Sequence, residues 1–187
     1  MKTALKDIAS IQTGIFAKPI AKGEVVYLQT RHFDDEGQLS SILYPDLNAD
    51  SISAKHLLQD GDVLFAAKGN KNFAAIYESK NPAAVASTSF FVIRLLEEYH
   101  DKIIPEYLVW FINQADVQKE LKGKAIGSSI SSISKQVLEA LEISIPVMQT
   151  QQSILKIAQL RNKEKKLKMK IELLEDVKIR EIINYKL

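Results

Sequence analysis

Residues 149–187 read QTQQSILKIAQLRNKEKKLKMKIELLEDVKIREIINYKL. Thr150-Gln151-Gln152 opens the stretch, and it contains neither Gly nor Pro. Ile157, Leu160, Leu167, Ile171, Leu174, Ile182 and Tyr185 fall at steps that place them on one stripe of a helix. The remaining positions are mostly Lys, Arg, Glu, Asp, Gln and Asn. At 1.5 Å per residue the helix would run for roughly 54 Å. A stripe of that length outreaches a small domain and calls for a second helix beside it.

The charges suggest how that partner runs. Arg161, Lys163, Lys165, Lys166, Lys168 and Lys170 make the first half basic, against Glu164. Glu172, Glu175, Asp176 and Glu181 make the second half more acidic, against Lys178 and Arg180. A parallel copy would set like halves together, whereas an antiparallel copy sets basic against acidic. Glu164 and Lys178 interrupt the stripe seven residues either side of Ile171. A two-fold axis near Ile171 would bring Glu164 of one chain to Lys178 of the other, and polar interruptions of a seam fix register. The expectation is an antiparallel homotypic coiled coil whose seam holds Ile157, Leu160, Glu164, Leu167, Ile171, Leu174, Lys178 and Ile182. The alternative is a solvated helix folded back on its own domain.

Of the 187 residues, 46% are hydrophobic and 26% charged, enough for a packed core and against global disorder. The net charge of +2 excludes a strongly basic arm while leaving room for a basic face. With no Cys there are no disulfides or thiolate metal sites, which fits a reducing cytoplasm. The N-terminus lacks the apolar core of a signal peptide, and no apolar run reaches 18 residues, so no membrane span is expected.

Ahead of the helix, residues 3–12 form a short amphipathic segment ending at Gly14. Residues 23–30 alternate as a strand, and residues 31–41 are a loop around Gly37. Residues 57–66, LLQDGDVLFA, are a turn into a buried strand. Residues 68–72, KGNKN, are a polar loop before a strand at 74–78. Residues 87–96, STSFFVIRLL, are the plainest strand, with Arg94 expected on its wet side. Pro105 starts a helix expected to run to Leu121. A Ser-rich loop at 127–134 caps a helix at 135–141, and residues 143–146 are a last short strand. The expected fold class is α+β, or mixed α/β: one compact domain over 1–147, then a spacer and dimerisation helix over 148–187.

The order of these segments resembles the specificity subunit of type I restriction–modification systems. Leu5-Lys6-Asp7-Ile8-Ala9 with Gln12-Thr13-Gly14 resembles the opening of a target recognition domain. Gly61-Asp62-Val63-Leu64, followed by Lys68-Gly69, resembles the family's Gly-Asp-Ile-Leu strand. Ala86-Ser87-Thr88-Ser89 entering 90–95, Pro105-Glu106-Tyr107-Leu108, and Ile143-Ser144-Ile145-Pro146 before Gln151-Gln152 and Ile154 match later segments. Thr150 stands where the family more often has Glu. The resemblance implies a DNA-reading, non-catalytic subunit without cofactor of its own. It further implies separate modification (methyltransferase) and restriction subunits as partners, with S-adenosylmethionine and ATP bound there. Family members usually carry two recognition domains; this chain has one, and so looks like a half-subunit or half of a longer one. Two antiparallel copies would rebuild the whole and read a bipartite, palindromic target.

Base reading needs side chains that donate and accept, and backbone positioning needs cations and hydroxyls. The first candidates are Lys68, Gly69, Asn70, Lys71 and Asn72, where Gly69 lets a backbone approach; the alternative is an ordinary solvated turn. Next come Gln29, Thr30, Arg31 and His32, or else merely a strand end. Lys18 and Lys22 are candidate phosphate contacts. Ser128, Ser129 and Ser131 read as hydroxyl contacts or simply as loop and cap. Tyr107, Trp110 and Phe111 fit core packing better than base stacking. His32, His56 and His100 are scattered without metal-ligand spacing. Asn81-Pro82-Ala83-Ala84 lacks the second Pro and the aromatic of an amino-methyltransferase motif and reads as a turn, and Asp60 and Asp62 read as turn chemistry. A second functional class stays open: a coiled-coil adaptor whose head binds protein.

Overall fold

The computed structural model describes residues 2–34, 37–39, 42–69, 71–125 and 132–184. Its eight strands are β1 Lys2–Ala4, β2 Ala9–Thr13, β3 Val26–Leu28, β4 Val63–Ala66, β5 Ala74–Ile76, β6 Ala84–Ala86, β7 Phe90–Leu95 and β8 Glu142–Ser144. Its α-helices are α1 Pro105–Ile112, α2 Ala115–Gly123, α3 Lys135–Glu139 and α4 Met148–Asn184. The class is the mixed α/β one expected.

The run VLFA of β4 sits at the centre. β2, β7, β4 and β5 form an antiparallel sheet in that order. Side chains alternate across a strand. Val63 and Phe65 enter a core with Leu5, Ile8, Ile93, Leu108, Leu138 and Ile143. Leu64 and Ala66 enter a second core with Val26, Leu28, Phe73 and Phe90. Burial on both faces explains an unbroken apolar run in place of alternation. Two small pairs complete the head: β1 with β8, antiparallel, and β3 with β6, parallel.

Several elements differ from expectation, each for a tertiary reason. Residues 3–12 divide into β1 and β2 around a 3-10 turn at Leu5–Asp7. The helix expected from Pro105 to Leu121 breaks at Asn113. There the side-chain Oδ1 accepts from Ala74 N at 2.8 Å and Nδ2 donates to Ala74 O at 2.8 Å, so Asn113 completes the open edge of β5. The turn expected at Asn81-Pro82-Ala83-Ala84 ends one residue earlier, because Ala84 already belongs to β6 and pairs with Val26. Ser87 lies in the turn before β7, whose first residue is Phe90.

Arg94, expected on the wet side of β7, is only partly exposed and turns to a buried carboxylate. Its Nε and Nη2 grip both oxygens of Asp62 at 2.7 and 2.6 Å, and Nη2 also donates to Leu57 O at 3.2 Å. Asp62 is 1% exposed and accepts Gln59 N as well, at 2.8 Å. The bond that Arg94 donates to Asp62 holds the guanidinium pKa above its ordinary value. Gly61, at φ 82°, makes the turn that delivers Asp62 there. Asp60 points outward to Ser79, whose N–H lowers its carboxyl pKa.

α4 is fastened to the head by a buried amide. Gln151 accepts Ile104 N at 2.9 Å through Oε1 and donates to Lys102 O and Pro146 O at 2.7 and 2.8 Å through Nε2. Gln151→Leu leaves these backbone groups dry and unpaired, at about 1–3 kcal/mol. Denaturant titration should read that loss, with faster amide exchange at Ile104; unchanged exchange there would contradict the fastening role. Ile154, Ile157, Ala158 and Arg161 line a cleft with Trp110 of α1 and with Gln114, the residue before α2. From residue 159 to 183 every side chain is exposed. Tyr185, the last member of the expected stripe, falls outside the described residues. The 37-residue helix is about 55 Å long.

Candidate nucleic-acid interface

One end of the central sheet gathers most of the candidate residues. β2 ends at Thr13 opposite Phe91, β4 ends at Ala66 opposite Phe90, and the parallel strands β3 and β6 end together at Leu28 and Ala86. The segments leaving that end are bonded to one another. Gly14 N donates to Phe90 O, Ile15 N to Ala86 O, Ser87 N to Leu28 O and Ala67 N to Ser89 O, all within 2.8–3.0 Å. A Cβ on Gly14 would stand 2.1 Å from Ser87 O, so the approach requires glycine. Phe33, Phe73 and Phe90 pack together at centroid distances of 5.6, 5.6 and 6.1 Å. These rings bind the 29–33 segment and the loop after β4 to β7.

Lys68 is exposed and forms an antiparallel bridge with Ser132, beside a bond from Ile133 N to Ala67 O of 3.0 Å. The end of the Ser-rich segment therefore lies on the loop that the sequence put first. Asn70, Ser128, Ser129 and Ser131 fall outside the described residues. Gly69 has φ 117°, and a Cβ added to it would meet no atom within 4 Å, so its backbone lies open to approach. Lys71 is exposed. Asn72 donates through Nδ2 to Ala66 O at 2.9 Å and so fastens the loop's own base.

Gln29 and His32 are tied to each other around a 3-10 turn: the Gln29 side chain accepts from His32 N–H, and His32 Nδ1 accepts Gln29 N at 3.2 Å. Burial, then the neighbouring Arg31, lowers the His32 pKa, which keeps the ring neutral and accepting. Gln29 and His32 thus shape the segment, while Arg31 is the exposed cation on it and Thr30 is half-buried. Lys18 leaves the same end, three residues beyond Ile15, which bridges Ser87. Lys22 does not. It precedes Gly23, whose N–H binds Pro45 O at the entry to β3, the far end of that strand.

Two features were missed from the sequence alone: the three-phenylalanine cluster and the Lys68–Ser132 bridge. A signal for the first exists, since Phe33 and Phe73 each directly follow a polar candidate segment. Tyr107 is buried and stacks on Trp110 at 5.6 Å, with its hydroxyl donated to Ser144 O at 2.7 Å. Among the described residues no group of three His, Cys, Asp or Glu could hold a metal, and no helix is long and apolar enough to cross a membrane.

Three solved structures share this arrangement. The S subunit of a type I restriction-modification system from M. genitalium superposes with a TM-score of 0.59 at 12% identity, over 87% of this chain and 39% of that one. A chain from work on complex assembly and conformational transition of the type I R-M system gives 0.64 at 13%, over 88% and 38%. The HsdS subunit from Thermoanaerobacter tengcongensis gives 0.59 at 14%, over 88% and 37%. At such identities the likeness is one of fold, and this chain spans less than two-fifths of the length of those chains. Comparison with curated proteins finds no match. The family model for the type I restriction modification DNA specificity domain matches residues 2–173, nearly the whole chain, and the protein belongs to that family.

Proposed function

We propose that the chain is the sequence-reading half of a type I restriction–modification assembly and performs no chemistry itself. The head reads one half-site of duplex DNA with the loops at the sheet end. Lys68, Lys71, Arg31 and Lys18 meet phosphates and base edges over the open backbone of Gly69. α4 pairs antiparallel with a second copy of this unit about an axis near Ile171. Methylation and cleavage, with S-adenosylmethionine and ATP, belong to modification and restriction subunits docked on that framework, in the cytoplasm.

The observation that carries this reading is α4 itself. It leaves the head with Ile157, Leu160, Leu167, Ile171, Leu174 and Ile182 all more than half exposed. From Leu160 onward it is an apolar stripe with nothing packed on it among the described residues. Met169, Leu173 and Ile183 are exposed on the side away from the seam. A two-stranded pair leaves that second face uncovered, and it suits a helix of another subunit. At ~3.4 Å per base pair, a spacer of about 55 Å sets two heads on the order of one and a half helical turns apart.

Methylome sequencing of a host expressing this chain with its modification subunit tests the proposal. A gapped, two-part palindrome is expected; a single continuous motif, or none, contradicts it. Lys71→Ala should weaken binding almost equally on all duplexes and reduce the salt slope by about one. Asn72→Ala should loosen the loop at about 0.5–1.5 kcal/mol of stability. Titrations at several salt concentrations, beside denaturation curves, separate the two effects.

A further inference from the structure

The cleft between the head and the start of α4 lies at one end of the apolar stripe. Trp110, Gln114, Ile154, Ile157, Ala158 and Arg161 line it, around a volume of about 340 Å³. Trp110 is half-buried, and Tyr107 stacks on its ring at 5.6 Å. Gln114 is fixed by the bond that Nε2 donates to Trp110 O at 2.8 Å. The wall on the head side is therefore held in place. Ile157, the first member of the stripe, is 54% exposed while lining the same cleft. A helix laid along the stripe thus runs up to Trp110.

Position and charge say which helix that is. Ile157 and Tyr185 lie fourteen residues either side of Ile171, Leu160 and Ile182 eleven, and Arg161 and Glu181 ten. A two-fold axis near Ile171 sets the last turn of a second copy's α4 beside the cleft. Apolar residues then meet Ile157 and Leu160, and an acid meets Arg161. Neither Arg161 nor Glu181 has an ion-pair partner among the described residues, and Glu164, three residues after Arg161, binds Lys168 at 2.8 Å. The register that brings Glu164 to Lys178 therefore brings a second opposite-charge pair to the cleft. A parallel copy would set Arg161 beside Arg161 instead.

We infer that the cleft seats the last turn of α4 from a second copy, with Ile182 and Tyr185 of that copy closing over Trp110 and its Glu181 paired to Arg161. The inference rests on the antiparallel pairing proposed above and adds a contact between spacer and head. Each end of the spacer pair then grips a head, which fixes the orientation of the heads as well as their separation. Aromatic and aliphatic side chains seated in a pocket carry a large share of the energy of such a contact.

Trp110 is the only tryptophan of the chain, so its fluorescence reads the cleft directly. Across a concentration series in which sedimentation shows the pair forming, its emission should move to shorter wavelength and its quenching by acrylamide should fall. Ile171→Asp should leave it open to quencher throughout the series. Tyr185→Ala should weaken the pair roughly tenfold. Arg161→Glu should weaken it too, and Arg161→Glu combined with Glu181→Arg should restore it. Pairing with unchanged Trp110 emission and quenching overturns the docking and leaves the antiparallel spacer standing. A charge-reversed double variant that pairs no better than the single one also overturns it. So does shielding of Trp110 only after a modification subunit is added, which assigns the cleft to that subunit. Absence of a pair at every concentration removes the docking and the pairing together.

Discussion

Arg94→Met lowers the free energy of unfolding by about 3–5 kcal/mol, the cost of leaving one partner of a buried ion pair alone. Asp62 is 1% exposed, and two of the three hydrogen bonds its carboxylate accepts come from Arg94. Met fills much of the volume but donates nothing, so the carboxylate keeps only the Gln59 N–H and stays buried without its cation, or the turn at Gly61 must open. Arg94→Lys should recover little. A single ammonium cannot reproduce a fork that binds both Asp62 oxygens and Leu57 O. Replacing both partners, Asp62→Leu with Arg94→Met, should recover part of the loss, because no charge is then left buried. Urea denaturation of the variants measures all three. A loss below about 1 kcal/mol for Arg94→Met, the range of a surface pair, would contradict the structural role.

The second large effect falls on the spacer. In the proposed pair, Ile171 meets its own copy at the axis, so Ile171→Asp places two carboxylates against each other in an apolar seam. The dissociation constant should rise at least about 100-fold, or about 2.7 kcal/mol. The head should keep its stability, because Ile171 is exposed within the single chain and touches none of its core. Sedimentation across a concentration series reads the first, and a denaturation midpoint the second. An undiminished pair would move the axis away from Ile171.

How legible each part was follows from where its information lies. β4 could be read from sequence because burial on both faces writes a continuous apolar run, and Gly61 marks the turn before it. The apolar stripe of α4, exposed in the single chain, was equally visible as periodicity. Its opposite side was not, because Leu173 and Ile183 are scattered among lysines and glutamates. The pairing of Arg94 was not legible because its partner, Asp62, lies 32 residues earlier, in the turn before β4. The break at Asn113 is invisible locally, being caused by the unpaired hydrogen-bonding edge of β5 at Ala74, which the Asn113 amide completes. For the interface, the sequence supplied separate polar segments. Their meeting depends on Phe33, Phe73 and Phe90, hinted at only by the two phenylalanines that directly follow polar segments, and on the Lys68–Ser132 bridge, which no local pattern encodes. Lys22, chosen by its charge, went to the other end of β3 for the same reason.

The orientation of the two spacers is tested most directly by disulfide trapping, which the chain permits because it contains no cysteine of its own. Glu164→Cys and Lys178→Cys are made as separate variants, mixed, and oxidised. Antiparallel pairing about Ile171 predicts covalent dimers joining position 164 of one chain to position 178 of the other. Dimers joining 164 to 164 and 178 to 178, without the mixed product, would mean parallel helices and heads side by side.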